Sequence, residues 1–156
     1  MKIQRNFSSK TVLSVMLVGA ITATAMAEDY KSIITHRQGI YNVMAGHMKV
    51  LKSILFQGHP QIDDVNYHAS AILEAAKHHG KAFPKGSDKG RTNALPAIWD
   101  KPEEFKAAGA NLGKALKNFI AVSENSSKAN LAEMQGAFKK VGKACGGCHD
   151  NFRAEL

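Results

Sequence analysis

The residues with the most specific chemistry lie near the end of the 156-residue sequence, in the run Cys145-Gly146-Gly147-Cys148-His149. A Cys-x-x-Cys-His run is the attachment signature of c-type haem. The two thiols bond to the vinyl groups of the porphyrin, and the adjacent imidazole supplies the axial ligand to iron. If the run is helical, these side chains fall at i, i+3 and i+4 and share one face. The run therefore predicts one covalent haem c, held by Cys145 and Cys148, with His149 as the iron ligand.

Three other roles for a cysteine pair fit this sequence less well. A structural disulfide across two residues of a helix would be strained. A thioredoxin-like pair follows a strand at the start of a βαβ unit, whereas this pair lies in a helical pattern close to the C-terminus. A zinc site needs further ligands at matching spacing, and the adjacent His78 and His79 would point to different sides of a helix.

The N-terminal segment has the features of a secretory signal peptide. Basic residues precede an apolar run, residues 12–21, which is too short to cross a bilayer because a crossing needs about twenty apolar residues. Ala25-Met26-Ala27 then offers a small-residue cleavage site. We therefore expect residues 1–27 to be removed and the protein to reach the periplasm; an uncleaved membrane anchor is the alternative.

Residues 28–156 have the length of one domain. The formal net charge of the whole sequence is +8, and three of its cations, Lys2, Arg5 and Lys10, belong to the signal. The sequence has no dense Lys/Arg tract and no aromatic–basic motif, so nucleic-acid binding is not expected. We interpret the charge as solvated helix faces with some preference for an acidic redox partner, which the sequence does not identify.

Apolar residues recur at helical spacing in four segments, and no segment alternates as a strand would. The segments cover residues 29–57, residues 63–80, a stretch that begins after Asp100, and a last stretch after the polar turn 123–127. Asp29 is the expected cap of the first. Short connections join the first helix to the second and the third to the fourth, which predicts an all-α, antiparallel up-down-up-down four-helix bundle. The long Gly- and Pro-rich connection between the second and third helices is of the kind that is often functional.

This arrangement resembles the class II cytochromes c, above all cytochrome c′, in which the haem-attachment motif ends a four-helix bundle. The resemblance covers essentially the whole mature chain. Besides the haem motif it is carried by four short runs, which are Arg37-Gln38, Gly46-His47-Met48, Pro96-Ala97-Ile98-Trp99 and Phe152-Arg153.

The resemblance implies roles for residues beside the haem. Arg37 and Gln38 match a pair that lies against the haem edge, with the arginine near a propionate. Arg153 matches a basic residue near the proximal side. Thr92 falls in a loop region that touches a propionate in relatives.

The sixth iron position decides the function, and the resemblance places Tyr41 beside it. The family contains five-coordinate, high-spin proteins and low-spin proteins with a methionine as sixth ligand. A neutral phenol, whose pKa is ordinarily about 10, is a poor iron ligand, so Tyr41 predicts an open but crowded distal site. Met44 lies one turn further on the same helix face and is the alternative ligand.

These expectations describe a haem protein that binds NO or CO, transfers single electrons, or does both. With Met44 on the iron it would instead be a low-spin electron shuttle. No distal acid–base pair of the kind that peroxide chemistry requires is evident, so we assign no catalytic residue and do not expect an enzyme. The resemblance also implies a homodimer through the first helix, whose further apolar residues are Ile34, Val43, Val50 and Ile54.

Overall fold

The computed structural model describes the backbone of residues 10–155 and the side chains of residues 30–155. Within these residues the chain forms five α-helices and no β-strand, and the helices are α1 (Lys10–Phe56), α2 (Val65–Ala76), α3 (Ala97–Asp100), α4 (Pro102–Ser123) and α5 (Leu131–Phe152). Short 3₁₀ turns, Ile62–Asp64 and Lys128–Asn130, precede α2 and α5, and a third, His79–Ala82, follows α2.

The four long helices pack as a bundle in which consecutive helices are neighbours. Helix α1 packs along α2, α2 packs against α4, and α4 packs against α5. This confirms the predicted all-α four-helix bundle. Helix α3 is a single turn within the long connection that joins α2 to α4.

The helix ends differ from the prediction at two places. Asp29 lies inside α1 rather than capping it, because Ala25, Met26 and Ala27 are good helix formers and nothing there breaks the helix. The second helix ends at Ala76 rather than at Gly80, and the next residues form the separate 3₁₀ turn. The predicted signal peptide, residues 1–27, lies outside the residues whose side chains are described and stays a prediction.

The starts of α4 and α5 follow from their sequences. Pro102 opens α4, where its fixed φ suits the first turn and its missing N–H is not needed. Glu103 and Glu104 follow at the positive end of the helix dipole. Before α5, the Ser127 N–H donates to Oδ1 of Asn130 over 3.0 Å, which satisfies an otherwise unpaired donor.

The core fills the space between the four long helices. Its largest fully buried side chains include Leu51, Leu55, Ile72, Leu116, Phe119, Met134 and Val141. Each comes from the apolar stripe of its helix, as the periodicity predicts. No helix within the described part of the chain combines the length and the apolar character that a membrane crossing requires.

Two of the four α1 residues expected to face a partner are buried in the chain itself. Ile34 and Ile54 are each 5% exposed, because the loop at Gly90 covers Ile34 and the bundle core encloses Ile54. Val43 and Val50 are 53% and 40% exposed and do face outward.

The connection between α2 and α4 is hydrogen-bonded to the C-terminal end of α5. The Leu95 N–H donates to the Phe152 carbonyl over 3.0 Å, and the Ala154 N–H donates to the Asn93 carbonyl over 2.8 Å. Within the connection, Nε1 of Trp99 donates to the Phe83 carbonyl over 3.1 Å. These bonds hold the segment across one end of the bundle, where it covers the cavity described next.

Candidate functional site

A cavity of about 440 Å³ opens between α1, α4, α5 and the long connection, with Ile72 of α2 also in its lining. Its volume is in the range of about 300–1,000 Å³ that is typical of ligand pockets. The predicted site residues all line it, and they are Arg37, Gln38, Tyr41, Met44, Thr92, Cys145, Cys148, His149 and Arg153. The fold thus brings together residues from α1, α5 and the connection around one space; the role of each stays a prediction.

Helix α5 presents the two cysteines and the histidine to the cavity from within a single helical segment. Both cysteines are free thiols, and burial raises the pKa of each. Burial lowers the pKa of His149, and the nearby Arg153 lowers it further while Asp150 opposes the shift. A neutral imidazole keeps the lone pair that a metal ligand needs. This wall therefore offers two protonated thiols and one imidazole to a single bound group.

Helix α1 supplies the facing side chains Tyr41 and Met44. Burial raises the pKa of the Tyr41 phenol; the two cysteines add to the shift and Arg37 opposes it, and the net rise keeps the phenol neutral. Met44 is 6% exposed and belongs to the hydrophobic core while also reaching the cavity wall.

Arg37 is buried, at 3% exposure, and its terminal nitrogens donate to the long connection rather than into the cavity. Nη1 donates to the Ala82 carbonyl over 3.1 Å and to Oγ of Ser87 over 2.9 Å. Nη2 donates to the Ser87 carbonyl over 2.9 Å and to Oγ1 of Thr92 over 2.7 Å. The guanidinium also lies 4.7 Å from the centre of the Phe83 ring. Arg37 therefore anchors this segment. Its terminal nitrogens are already bonded, so what it contributes to the cavity is its positive charge rather than a hydrogen-bond donor.

The other predicted edge residues are placed by the same segment. Gln38 is exposed and donates from Nε2 to the Arg91 carbonyl over 3.1 Å. Oγ1 of Thr92 accepts from Arg37 and also from the Ala94 N–H, the latter over 3.1 Å. Arg153 follows α5 directly, and its own N–H donates to the His149 carbonyl over 3.1 Å.

His79 is the site residue that the sequence did not predict. Its Nδ1 forms a hydrogen bond with the Tyr41 hydroxyl, and its ring lines the cavity. The sequence analysis did not anticipate this Tyr41–His79 pair. The two residues are 38 positions apart, and no local pattern connects them, so only the folded chain reveals the pair.

The cavity fits a haem in its donor set and in its charge. Two free thiols and one imidazole reach it from one helix face, which is the set needed for two thioether bonds and one axial ligand. Among the described residues that line it, the charged side chains are Arg37 and Arg153, and none is a carboxylate. A cationic rim suits the two propionate groups of a haem.

Comparisons with known proteins agree with this site. The family model described as Cytochrome C' matches residues 32–153. Cytochrome c-554 of Cereibacter sphaeroides is 31% identical over 141 residues, which cover 85% of this chain and 90% of that protein. Cytochrome c-556 of Agrobacterium fabrum is 31% identical over 146 residues, which cover 92% of this chain and 94% of that protein.

Solved structures show the same fold. Cytochrome c' from Thermochromatium tepidum superposes with a TM-score of 0.73 at 27% identity, covering 81% of this chain and 97% of that one. For cytochrome c' from Rubrivivax gelatinosus the TM-score is 0.69 at 28% identity, and the match covers 78% of this chain and 94% of that one. The family match spans both cavity walls, from α1 to the residue after α5. The chain therefore belongs to the cytochrome c′ family and is a c-type haem protein with covalently bound haem c.

Proposed function

We propose that this protein holds its haem iron five-coordinate and high-spin, with His149 as the axial ligand, and that it binds NO or CO at the open position and exchanges single electrons. Cys145 and Cys148 hold the haem covalently to α5. When bound, the haem supplies a redox-active iron that accepts small ligands.

The observation that carries this proposal is the state of Tyr41 on the facing wall. Its hydroxyl is engaged with His79 and its phenol is neutral. A neutral phenol is a poor iron ligand, so Tyr41 restricts the size of what enters without bonding to the metal. The remaining lining near it is largely apolar and includes Met48, Ile72 and Leu112, which suits uncharged diatomic molecules.

Met44 is the basis of the second candidate function, a low-spin electron shuttle. Its side chain reaches the cavity wall, so a thioether ligand is available there. Against this, Met44 is 6% exposed and packs within the hydrophobic core. Its withdrawal from the core would leave a gap between the helices. We therefore propose that Met44 fills the core.

Titration of the reduced holoprotein with CO, in the wild type and in Met44→Leu, separates these two functions. An open site predicts that CO shifts the haem absorption spectrum in both proteins with similar affinity, since Leu preserves the volume of Met. A shuttle predicts that the wild type ignores CO and that only Met44→Leu responds. The second result would overturn the proposed gas binding.

We further propose that the protein works in the periplasm as a binding and electron-transfer protein rather than as an enzyme, with an unidentified redox partner. The predicted signal peptide supports the location.

We also propose a homodimer through α1, supported by the exposed Val43 and Val50. Sedimentation should show a dimer that Val43→Lys with Val50→Lys converts to a monomer; a wild-type monomer would reject it.

A further inference from the structure

Tyr41 and His79 form a hydrogen-bonded pair in the wall of the haem cavity. Tyr41 comes from the middle of α1, and His79 comes from the 3₁₀ turn after α2. Both side chains are partly buried. The pair thus places two polar groups, joined to each other, in a wall that is otherwise largely apolar.

The position of the His79 ring is fixed by its neighbours. The Phe105 ring lies with its centre 4.8 Å away, and the Phe83 ring meets it edge-on at 5.5 Å. On α4, a Cβ atom added to Gly109 would lie 3.5 Å from Cδ2 and Nε2 of His79. The ring therefore packs between these aromatic side chains and the α4 surface at Gly109, with Nδ1 bonded to Tyr41.

When the Tyr41 oxygen accepts from Nδ1 of His79, the hydrogen of the Tyr41 hydroxyl is left free for a small ligand. The terminal nitrogens of Arg37 are engaged by the connection, and Gln38 donates to a loop carbonyl outside the cavity. Asn42 and Asn93 are exposed at the rim. The charged lining residues among those described are arginines, so the cavity favours negative charge.

We propose that the Tyr41–His79 pair lets this cavity bind small anions that accept a hydrogen bond, such as azide, in addition to neutral gases. His79 donates from Nδ1 to the Tyr41 oxygen, and the Tyr41 hydroxyl donates to the anion. Each bond polarises the next, so the chain of two donors is stronger than a lone phenol. This inference rests on the open iron position proposed above.

The protonation states of Tyr41 and His79 agree with hydrogen bonds donated from His79 to Tyr41 and from Tyr41 to the anion. Burial keeps Tyr41 and His79 neutral, since it raises the pKa of the phenol and lowers the pKa of the imidazole. A neutral imidazole with its hydrogen on Nδ1 is a donor at that atom. A hydrogen bond to an ionised acceptor is about twice as strong as one between neutral groups. An anion therefore gains from the pair, whereas CO gains little.

Azide titration of the oxidised holoprotein, followed by haem absorption, tests the pair. We expect Tyr41→Phe to weaken azide binding about tenfold or more, which corresponds to the loss of one charge-assisted hydrogen bond. His79→Phe removes the first donor and should weaken binding severalfold. In the double variant the loss should match that of Tyr41→Phe, because the two residues act as one chain.

Two further variants separate this role from a structural one. His79→Asn retains an amide donor at the place of Nδ1 and should restore part of the affinity. His47→Phe is the matched control, since it removes an α1 histidine paired with His68 outside the cavity, and should bind azide as the wild type does. Each variant should still bind CO when reduced, which verifies that its haem is seated.

The infrared band of bound azide gives a second readout. In the wild type it should shift when H₂O is replaced by D₂O, because a donated hydrogen is exchanged, and in Tyr41→Phe it should not. Equal azide affinity in the wild type, Tyr41→Phe and His79→Phe would overturn the inference. A wild type that binds CO but no azide would also overturn it while leaving the proposed gas binding intact; binding neither would overturn both.

Discussion

The two walls of the haem cavity are built in different ways. On α5, the thiols of Cys145 and Cys148 and the imidazole of His149 come from five consecutive residues of one helix. On the opposite side, Tyr41 depends on His79 and Arg37 depends on acceptors 45 to 55 positions away. Attachment of the haem is therefore a local property of one helix, whereas its surroundings depend on the whole fold. Substitutions in the two walls should have separable effects.

The largest effect is expected from the α5 wall. Cys145→Ala with Cys148→Ala removes both thioethers and should abolish covalent haem, seen as the loss of haem staining of the protein band after denaturing electrophoresis. Gly147→Ala is the matched control, because Gly147 is exposed on the same helix and an added Cβ there meets no atom within 4 Å. Covalent haem in the double variant would show that these thiols are not the attachment points.

On the opposite wall, Arg37→Leu should destabilise the fold while leaving the haem attached. The change removes the hydrogen-bond donor of the Ala82 carbonyl, the Ser87 carbonyl and the fully buried Ser87 hydroxyl. Unsatisfied buried groups of this kind cost about 2–4 kcal/mol in total. Denaturant unfolding of the holoprotein measures the loss.

The neighbouring residue gives the control for this effect. Gln38→Ala removes a single exposed hydrogen bond, and exposed substitutions usually change stability by less than about 0.5 kcal/mol. Equal stability of Arg37→Leu and Gln38→Ala would contradict the anchoring role of Arg37. Faster hydrogen exchange in residues 82–92 of Arg37→Leu alone would locate the effect in the connection.

The difference between the two walls also decided how much of each could be predicted from the sequence. The haem motif could be identified because its spacing fits one helix face, and the family resemblance pointed to Tyr41 one turn after Arg37. The partner of Tyr41 was not, since His79 lies beyond the end of α2 in a turn whose position depends on Phe83 and Phe105.

The bundle itself could be predicted because its apolar stripes repeat at helical spacing. The buried location of Ile34 could not, because it is covered by the loop at Gly90, whose φ of +102° closes a turn that no periodic pattern encodes. Likewise, the four bonds of Arg37 to the connection follow from how that segment folds back. Periodicity predicts which face of a helix is apolar, but it does not predict what covers that face.

A smaller effect concerns the pH dependence of stability. Burial lowers the pKa of His79 in the fold, whereas an unfolded histidine titrates near ~6.5. As the pH falls below ~6.5, the unfolded chain takes up the proton first, so the free energy of unfolding decreases. The His79→Phe variant should lose less stability than the wild type between about pH 7.5 and 5.5.

Tyr41→Phe is the control for that measurement, because it removes the hydroxyl but keeps the imidazole, and it should retain the decrease at low pH. Denaturant unfolding of each holoprotein at the two pH values gives the comparison. Identical pH dependence in His79→Phe and the wild type would show that His79 takes up its proton equally in the folded and unfolded chains.

The most direct test of an open iron position opposite α5 is the electron paramagnetic resonance spectrum of the oxidised wild-type holoprotein. With Tyr41 tied to His79 and Met44 packed in the core, we predict a high-spin ferric signal. A purely low-spin signal would place a side chain on the sixth position and contradict the account.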